Sequence, residues 1–120
     1  MRRSLTRAER LRASKDIREL FSGAARIEGR GIRLLARTNR SGATRFGVVI
    51  ARGCSSAVRR NREKRLTREA YRSLKDRVPA GRDVLFYVKR FGMTFDERRS
   101  VMAGLVRRMP GGGQGAARST

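Results

Sequence analysis

Histidine and tryptophan are absent from this sequence of 120 residues, and cysteine occurs once, at Cys54. Without histidine the chain lacks the residue most used for general acid–base catalysis and cannot form a Cys/His zinc site. A single cysteine cannot form an intrachain disulfide, which favours a cytoplasmic protein. No uncharged run approaches the roughly 18 residues that span a bilayer, so we expect no membrane-spanning helix and no membrane partner.

Acidic residues are also scarce, since 10 Asp and Glu stand against 31 Lys and Arg and leave a formal net charge of +21. Only four of the basic residues are lysines, and the guanidinium group of the others suits repeated contact with phosphate. The few carboxylates show no constellation typical of a metal-dependent nuclease. Asp83 stands alone at a predicted strand start, and Asp96 and Glu97 are explained by helix capping. The composition therefore favours nucleic-acid binding without catalytic residues in the chain.

The hydrophobic pattern predicts one small α+β domain with the order helix, strand, strand, helix, strand, helix. We predict a sheet with helices packed mainly on one side and the other face partly free. The domain is expected to span residues 1–109, with residues 1–10 flexible. Residues 110–120 are rich in glycine and have nothing to bury, which predicts a disordered tail. The predicted elements are a helix ending near Gly23, strands at 32–37 and 46–51, a long helix at 56–75, a strand at 83–88 and a last helix from Thr94 to residue 109.

The long helix carries most of the signal for function. Seven basic residues fall between positions 59 and 72, against two acids, Glu63 and Glu69. The helical period places Leu66, Ala70 and Leu74 on the buried side and spreads the basic side chains over the other. A solvated helix face in which the two acids pair with neighbouring arginines is the alternative. Because two acids cannot offset seven bases along one helix, phosphate binding is the favoured interpretation.

Aromatic residues indicate nucleic-acid binding less strongly than the basic helix does. Most of them have a core explanation from their place in an apolar pattern, and burial is the default. Phe21 lies on the apolar stripe of the first helix, and stacking on an unpaired nucleic-acid base is the alternative that we keep open for it.

The segment 57–69 closely resembles the signature helix of the bacterial ribonuclease P protein family, with the pattern Arg-Asn-Arg-x-Lys-Arg-x-x-Arg. Further similarity in the strand 45–48, at the strand entry Arg82-Asp83 and in the basic last helix extends the resemblance over roughly residues 5–109. It implies a non-catalytic subunit of a ribonucleoprotein endonuclease that removes the 5′ leader of precursor tRNA. A catalytic RNA and its Mg²⁺ would carry the hydrolysis, and the protein would need no cofactor and no obligate protein partner. The implied fold is an α/β sandwich with a left-handed βαβ crossover.

The resemblance also implies roles for single residues. Contact with the catalytic RNA is expected from six positions of the motif, which are Arg60, Asn61, Arg62, Lys64, Arg65 and Arg68. Contact with the precursor leader is expected from Phe21, Ile17, Leu35 and Arg52. Ile17 and Leu35 stand where the family often has aromatic residues, so we expect weaker stacking here. A structural RNA-binding protein such as a ribosomal component is the alternative, since it would share the basic helix and the lack of catalytic residues.

Overall fold

The computed structural model describes residues 10–11, 14–39 and 42–109. The predicted tail 110–120 and, except for Arg10, the predicted flexible segment 1–10 lie outside the described residues. Arg10 forms a parallel bridge with Phe46, and the N–H of Leu11 donates to the Phe46 carbonyl oxygen at 2.7 Å. The Leu11 side chain is buried. Arg10 and Leu11 therefore pair with the edge of the sheet, and the flexibility of residues 1–10 stays a prediction.

Within the residues that the structure describes, three helices and four strands form the domain, and one of the strands was not predicted. The elements are α1 (Ser14–Gly23), β1 (Ala25–Glu28), β2 (Ile32–Thr38), β3 (Arg45–Ile50), α2 (Ala57–Leu74), a 3₁₀ turn (Lys75–Arg77), β4 (Arg82–Val88) and α3 (Phe95–Arg107). The sheet order is β1-β2-β4-β3, in which β1, β2 and β4 are antiparallel neighbours and β3 runs parallel to β4. No helix within the described residues is long and apolar enough to span a bilayer.

The unpredicted strand β1 is held by a tight hairpin to β2. The N–H of Gly29 donates to the Ile32 carbonyl oxygen at 2.9 Å, and Gly31 adopts a φ of 79° that residues with a Cβ rarely accept. A Cβ at Gly31 would also meet Arg90 Cβ at 2.6 Å. The sequence therefore contains a turn signal in Gly29-Arg30-Gly31, but the four residues of β1 are too short and too polar to predict a strand.

The two faces of the sheet pack against different helices. On one face α2 and α3 cover the main core, which includes Ile32, Leu34, Phe46, Val84 and Phe86 from the strands. On the other face α1 packs through Leu20 against Leu35 and Leu85, with Leu11 at the margin. Two helices lie on one side, as expected, but α1 covers part of the face that we expected to be free.

The crossover from β3 through α2 to β4 is left-handed, and two contacts of Phe46 establish this. Its ring stacks on Tyr71, so the side chain lies on the α2 face. Its carbonyl accepts from Leu11 and therefore points away from β4. When an L-residue in an upward strand points its side chain at the viewer, its N–H and C=O point to the right. Seen from α2, β4 therefore lies to the left of β3, which is the rare hand of a βαβ unit and the one that the resemblance implied.

Candidate nucleic-acid interface

The basic helix α2 has a well-formed start. The Ser56 side chain caps it by accepting a hydrogen bond from the Arg59 N–H at 3.1 Å. No acidic residue occupies the first turn, so nothing there offsets the positive end of the helix dipole. The dipole and the arginines therefore add to each other at this end of the helix.

Contacts with β3 and α3 fix which side of α2 faces the core. The Tyr71 ring stacks on Phe46 of β3 at a centroid distance of 4.2 Å, while Ser73 Oγ accepts a hydrogen bond from Arg99 Nε of α3 at 2.8 Å. The residues buried along the helix are Glu63, Thr67, Ala70, Tyr71 and Leu74. Leu66, which we expected inside, is only half-buried, because the buried stripe is rotated away from it toward Glu63 and Thr67.

The six predicted RNA-contacting residues lie on the solvent side and on both flanks of α2. Asn61, Arg62, Arg65 and Arg68 are exposed, and Arg60 and Lys64 are half-buried. At about 100° per residue, Asn61, Lys64 and Arg68 lie on the flank toward β3, and Arg65 points most directly outward. Arg62 lies on the opposite flank, where it lines a groove against Gly92 and Met93 together with Arg59. Arg62 lies about 60° around the helix from Arg65, so the exposed side joins the two flanks into one surface, and Arg60 lies closest to the buried stripe.

Only one of the two acids of this segment pairs locally, as the alternative of a solvated helix face requires of both. Glu69 forms an ion pair with Arg72 one turn along the exposed face. Glu63 instead points inward and lies 2.8 Å from Arg98 of α3, so that alternative does not hold for this residue. Because Glu63 is 3% exposed, its charge contributes little to the solvent side of the helix. The exposed face is consequently more basic than its composition suggests.

A second basic and aromatic surface, which we call the cleft, lies where α1 meets the sheet at Phe21, Tyr87 and Arg33. The Phe21 ring meets the Tyr87 ring edge-on at a centroid distance of 5.4 Å. The Arg33 guanidinium carbon lies 5.7 Å from the centre of the same Tyr87 ring. All three side chains are half-buried, which leaves part of each ring surface open to a ligand. Tyr87 and Arg33 were not among the predicted residues, because Tyr87 lies within a continuous apolar run that suggested core.

The other residues that we predicted to contact the leader differ in how exposed they are to solvent. Ile17 is half-buried and packs beside Phe21 against the small core under α1. Leu35 is 0% exposed and lies within that core, so the prediction that it contacts the leader is wrong. Its burial follows from α1 covering this face of the sheet. Arg52 is exposed two residues beyond the end of β3, at the same end of the sheet as Tyr87.

A buried carboxylate attaches α1 to the sheet through two arginines. Asp83 is 0% exposed and accepts two hydrogen bonds from Arg45, both at 2.8 Å, and one from Arg37 at 3.1 Å. The outer nitrogens of these arginines reach α1, where Arg37 donates to Glu19 at 2.8 Å and both arginines lie 3.4 Å from Asp16. Asp83 thus does not stand alone as the sequence suggested. It organises a charged cluster at the end of the cleft away from Arg33.

Hydrogen bonds within this cluster determine in which direction the pKa of each group is shifted. Burial alone would raise the pKa of Asp83, but hydrogen bonds from Arg45, Asn39 and Arg37 outweigh it and hold that pKa below its usual value. A hydrogen bond from Arg37 lowers the pKa of Glu19, and the same bond raises the pKa of Arg37. These groups therefore stay charged at neutral pH, and the cluster is a permanent ionic attachment for α1.

The described part of the chain contains no group of three His, Cys, Asp or Glu side chains placed to hold a metal ion. The carboxylates beside the two surfaces are Glu63 and Glu69 at α2 and Asp16, Glu19 and Glu28 at the cleft, and each is engaged by at least one arginine. What the two surfaces offer to a ligand is guanidinium groups and aromatic rings, which suit phosphates and unpaired bases.

Comparison with known protein families gives one consistent result. A family model described as Ribonuclease P matches residues 5–109. The ribonuclease P protein component of Thermotoga petrophila is 34% identical over 85 residues, which cover 71% of this chain and 73% of the relative. The corresponding protein of Pelotomaculum thermopropionicum is 36% identical over 80 residues, which cover 67% of this chain and 71% of the relative.

Solved structures show the same likeness in three dimensions. The ribonuclease P protein of Thermotoga maritima superimposes with a TM-score of 0.76 at 28% sequence identity, and the match covers 86% of this chain and 99% of that protein. Because the match covers most of this chain, the fold that carries the two surfaces is one that this relative shares.

Proposed function

The chain belongs to the ribonuclease P protein family and is a subunit of ribonuclease P in tRNA 5′ processing, and on this premise we propose that it acts through two surfaces. The exposed face of α2 binds the RNA subunit, which is the partner that family membership implies. The cleft between α1 and the sheet receives the 5′ leader of precursor tRNA. Family membership also decides against the alternative of a ribosomal component.

The observation that carries the proposal is the unneutralised charge on α2. Within the residues that the structure describes, Arg62, Arg65 and Arg68 are exposed and form no ion pair. The two acids of the segment are already engaged, Glu69 by Arg72 and Glu63 by Arg98. The arginine side chains of such a surface repel one another in the free protein, and bound phosphates would neutralise this repulsion. Asn61 adds a neutral group on the same flank that both donates and accepts hydrogen bonds.

We assign the leader to the cleft because the partly exposed aromatic rings there can stack on unpaired bases. Phe21 and Tyr87 present parts of two aromatic rings, and Arg33 provides a guanidinium group beside them. Unpaired bases stack on aromatic rings whatever their sequence, and arginine adds attraction to the backbone. A leader sequence varies from one precursor to another, so a site that reads stacking rather than base edges suits it. Arg52 and Ile17 lie near the same surface and extend it.

Hydrolysis is assigned to the RNA subunit and its Mg²⁺. The acids nearest to the α2 face and to the cleft are held by arginines, and no described residue is histidine. The role of the chain in this proposal is to screen the repulsion between two polyanions and to orient the leader. We place this activity in the cytoplasm, where tRNA precursors are processed in bacteria.

The α2 assignment is tested by reconstituting cleavage of a labelled precursor tRNA with a bacterial catalytic RNA at limiting Mg²⁺. Arg65→Ala and Arg68→Ala each remove one charge-assisted contact, so we expect each to lower the cleavage rate about tenfold at subsaturating protein. Raising Mg²⁺ should restore most of the rate, because the ion replaces part of the lost screening. Arg107→Ala, which removes one positive charge at an exposed residue of α3, is the matched control, and the enzyme reconstituted with it should cleave at the normal rate. Normal cleavage by both α2 variants at limiting Mg²⁺ would contradict the assignment.

A further inference from the structure

A buried ion pair lies beneath the basic segment of α2 and joins it to α3. Glu63 is 3% exposed and Arg98 is 0% exposed. Arg98 Nη1 lies 2.8 Å from Glu63 Oε1 and donates to Thr67 Oγ1 at 3.2 Å, and its Nη2 donates to the Met93 carbonyl oxygen at 3.0 Å. The second carboxylate oxygen of Glu63 accepts from the Gly92 N–H at 2.8 Å. One carboxylate and one guanidinium group thus connect α2, the loop after β4 and α3.

This cluster is the main buried attachment of the first part of α2. Glu63 and Thr67 are the only buried residues of the helix before Ala70, and both are reached by Arg98. Apolar attachment to the core begins at Ala70 and continues through Tyr71 and Leu74. All six candidate RNA-contacting residues lie between positions 60 and 68, on the stretch that the polar cluster holds.

A polar attachment differs from an apolar one in how sharply it fixes orientation. Apolar side chains tolerate small rotations, whereas hydrogen bonds and ion pairs weaken steeply with distance and angle. A rotation of α2 by about 20° would move an atom about 6 Å from the helix axis by about 2 Å. That displacement exceeds the range over which a guanidinium–phosphate hydrogen bond survives.

We propose that Glu63 and Arg98 are positioning residues that fix the rotation of α2, and with it the register of the basic face on the RNA subunit. The pair does not touch the RNA itself, since both side chains are buried. This inference rests on the proposed role of α2 as the RNA-binding surface. It also gives an acid between Arg62 and Lys64 a use, because burial against Arg98 removes its charge from the face that meets phosphate.

The test separates orientation from stability with a double variant, Glu63→Leu combined with Arg98→Leu. Replacing a buried ion pair by apolar residues of similar size often leaves stability unchanged or raised, so we expect thermal unfolding near that of the parent. We expect the affinity for the RNA subunit to fall about tenfold, as for the loss of one charge-assisted contact. We also expect the slope of log Kd against log salt to decrease by about 1, since fewer phosphates are engaged at once.

A second variant covers the case in which the double variant does not fold. Glu63→Gln keeps the shape of the side chain and leaves Arg98 uncompensated, and its binding is measured at a temperature where circular dichroism shows it folded. It should show the same loss of slope. Asp96→Asn makes the corresponding change at an exposed residue in the first turn of α3, outside the α2 surface, and should bind with the parental slope.

The outcomes distinguish this inference from the proposed function. If Arg65→Ala and Arg68→Ala bind the RNA subunit normally, α2 is not the RNA-binding surface and the proposed function fails. If those variants bind weakly while a folded Glu63 variant keeps the parental Kd and slope, the positioning role alone is overturned. A folded variant with weaker binding and a lower slope supports it.

Discussion

Replacing Asp83 with asparagine should destabilise the domain strongly, because this carboxylate holds together the sheet and α1. It accepts two hydrogen bonds from Arg45, one from Arg37 and one from Asn39. Asparagine keeps the shape but offers one acceptor oxygen and turns an amide N–H toward the arginines. Removing one partner of a buried pair costs about 3–5 kcal/mol. Arg37 and Arg45 are partly exposed and also contact Asp16, so we place the loss near the lower end, at about 3 kcal/mol.

The loss is measured by urea and thermal unfolding followed by circular dichroism at constant ionic strength. For a domain of this size, a loss of about 3 kcal/mol corresponds to a fall in Tm of about 12 °C. Asp96→Asn is the matched control, since Asp96 is an exposed residue in the first turn of α3. It should cost less than about 1 kcal/mol.

The pH dependence provides an independent check on the same residue. The pKa of Asp83 in the folded protein lies below its ordinary value of 3.8, so the carboxylate stabilises the fold above that value and the contribution is lost as the pH falls through the folded pKa. The difference in unfolding free energy between the parent and Asp83→Asn should therefore be constant from neutral pH to about pH 5 and shrink below about pH 4. A variant as stable as the parent at pH 7, or a difference that grows on acidification, would show that Asp83 does not stabilise the fold as a charged carboxylate.

Two further predictions concern the α1 side of the sheet. Leu35→Ala should lower the unfolding free energy by about 2–5 kcal/mol, because it empties a fully buried site, and a loss well under about 1 kcal/mol would mean that Leu35 is accessible after all. Phe21→Ala should reduce the preference of the reconstituted holoenzyme for precursor over mature tRNA about tenfold, since base–aromatic stacking contributes about 1–3 kcal/mol. Competition between the two RNAs measures this preference. A Phe21→Ala holoenzyme that discriminates as well as the parent would contradict the proposal that the leader binds in the cleft.

Elements with strong local signals were predictable from the sequence. The capping box of α3 is present as expected, with Thr94 Oγ1 accepting from the Glu97 N–H at 3.1 Å and Glu97 accepting from the Thr94 N–H at 3.0 Å. Helix α2 begins one residue after its predicted cap, Ser56, and β4 occupies the predicted apolar run. In each case the deciding interactions lie within a few residues of one another, so a single stretch of sequence contains them.

What the sequence could not show depends on contacts between distant positions. Leu34 and Leu35 are both apolar, so alternation cannot tell that one faces α3 and the other lies under α1. Glu63 lies between Arg62 and Lys64 in sequence, yet its partner is Arg98, far along the chain in α3. For the same reason only one of the two aromatic residues of the cleft could be predicted. Phe21 could be named, but Tyr87 joins it only because α1 folds across β4.

The proposed function places the exposed face of α2 against phosphates of the RNA subunit. The Kd of the protein for that RNA, measured as a function of salt, decides this for the parent, Arg65→Ala, Arg68→Ala and the control Arg107→Ala. We expect weaker binding by the two α2 variants, with slopes of log Kd against log salt lowered by about 1 each, and parental values for the control. Parental affinity and slope in both α2 variants would show that α2 does not bind the RNA subunit.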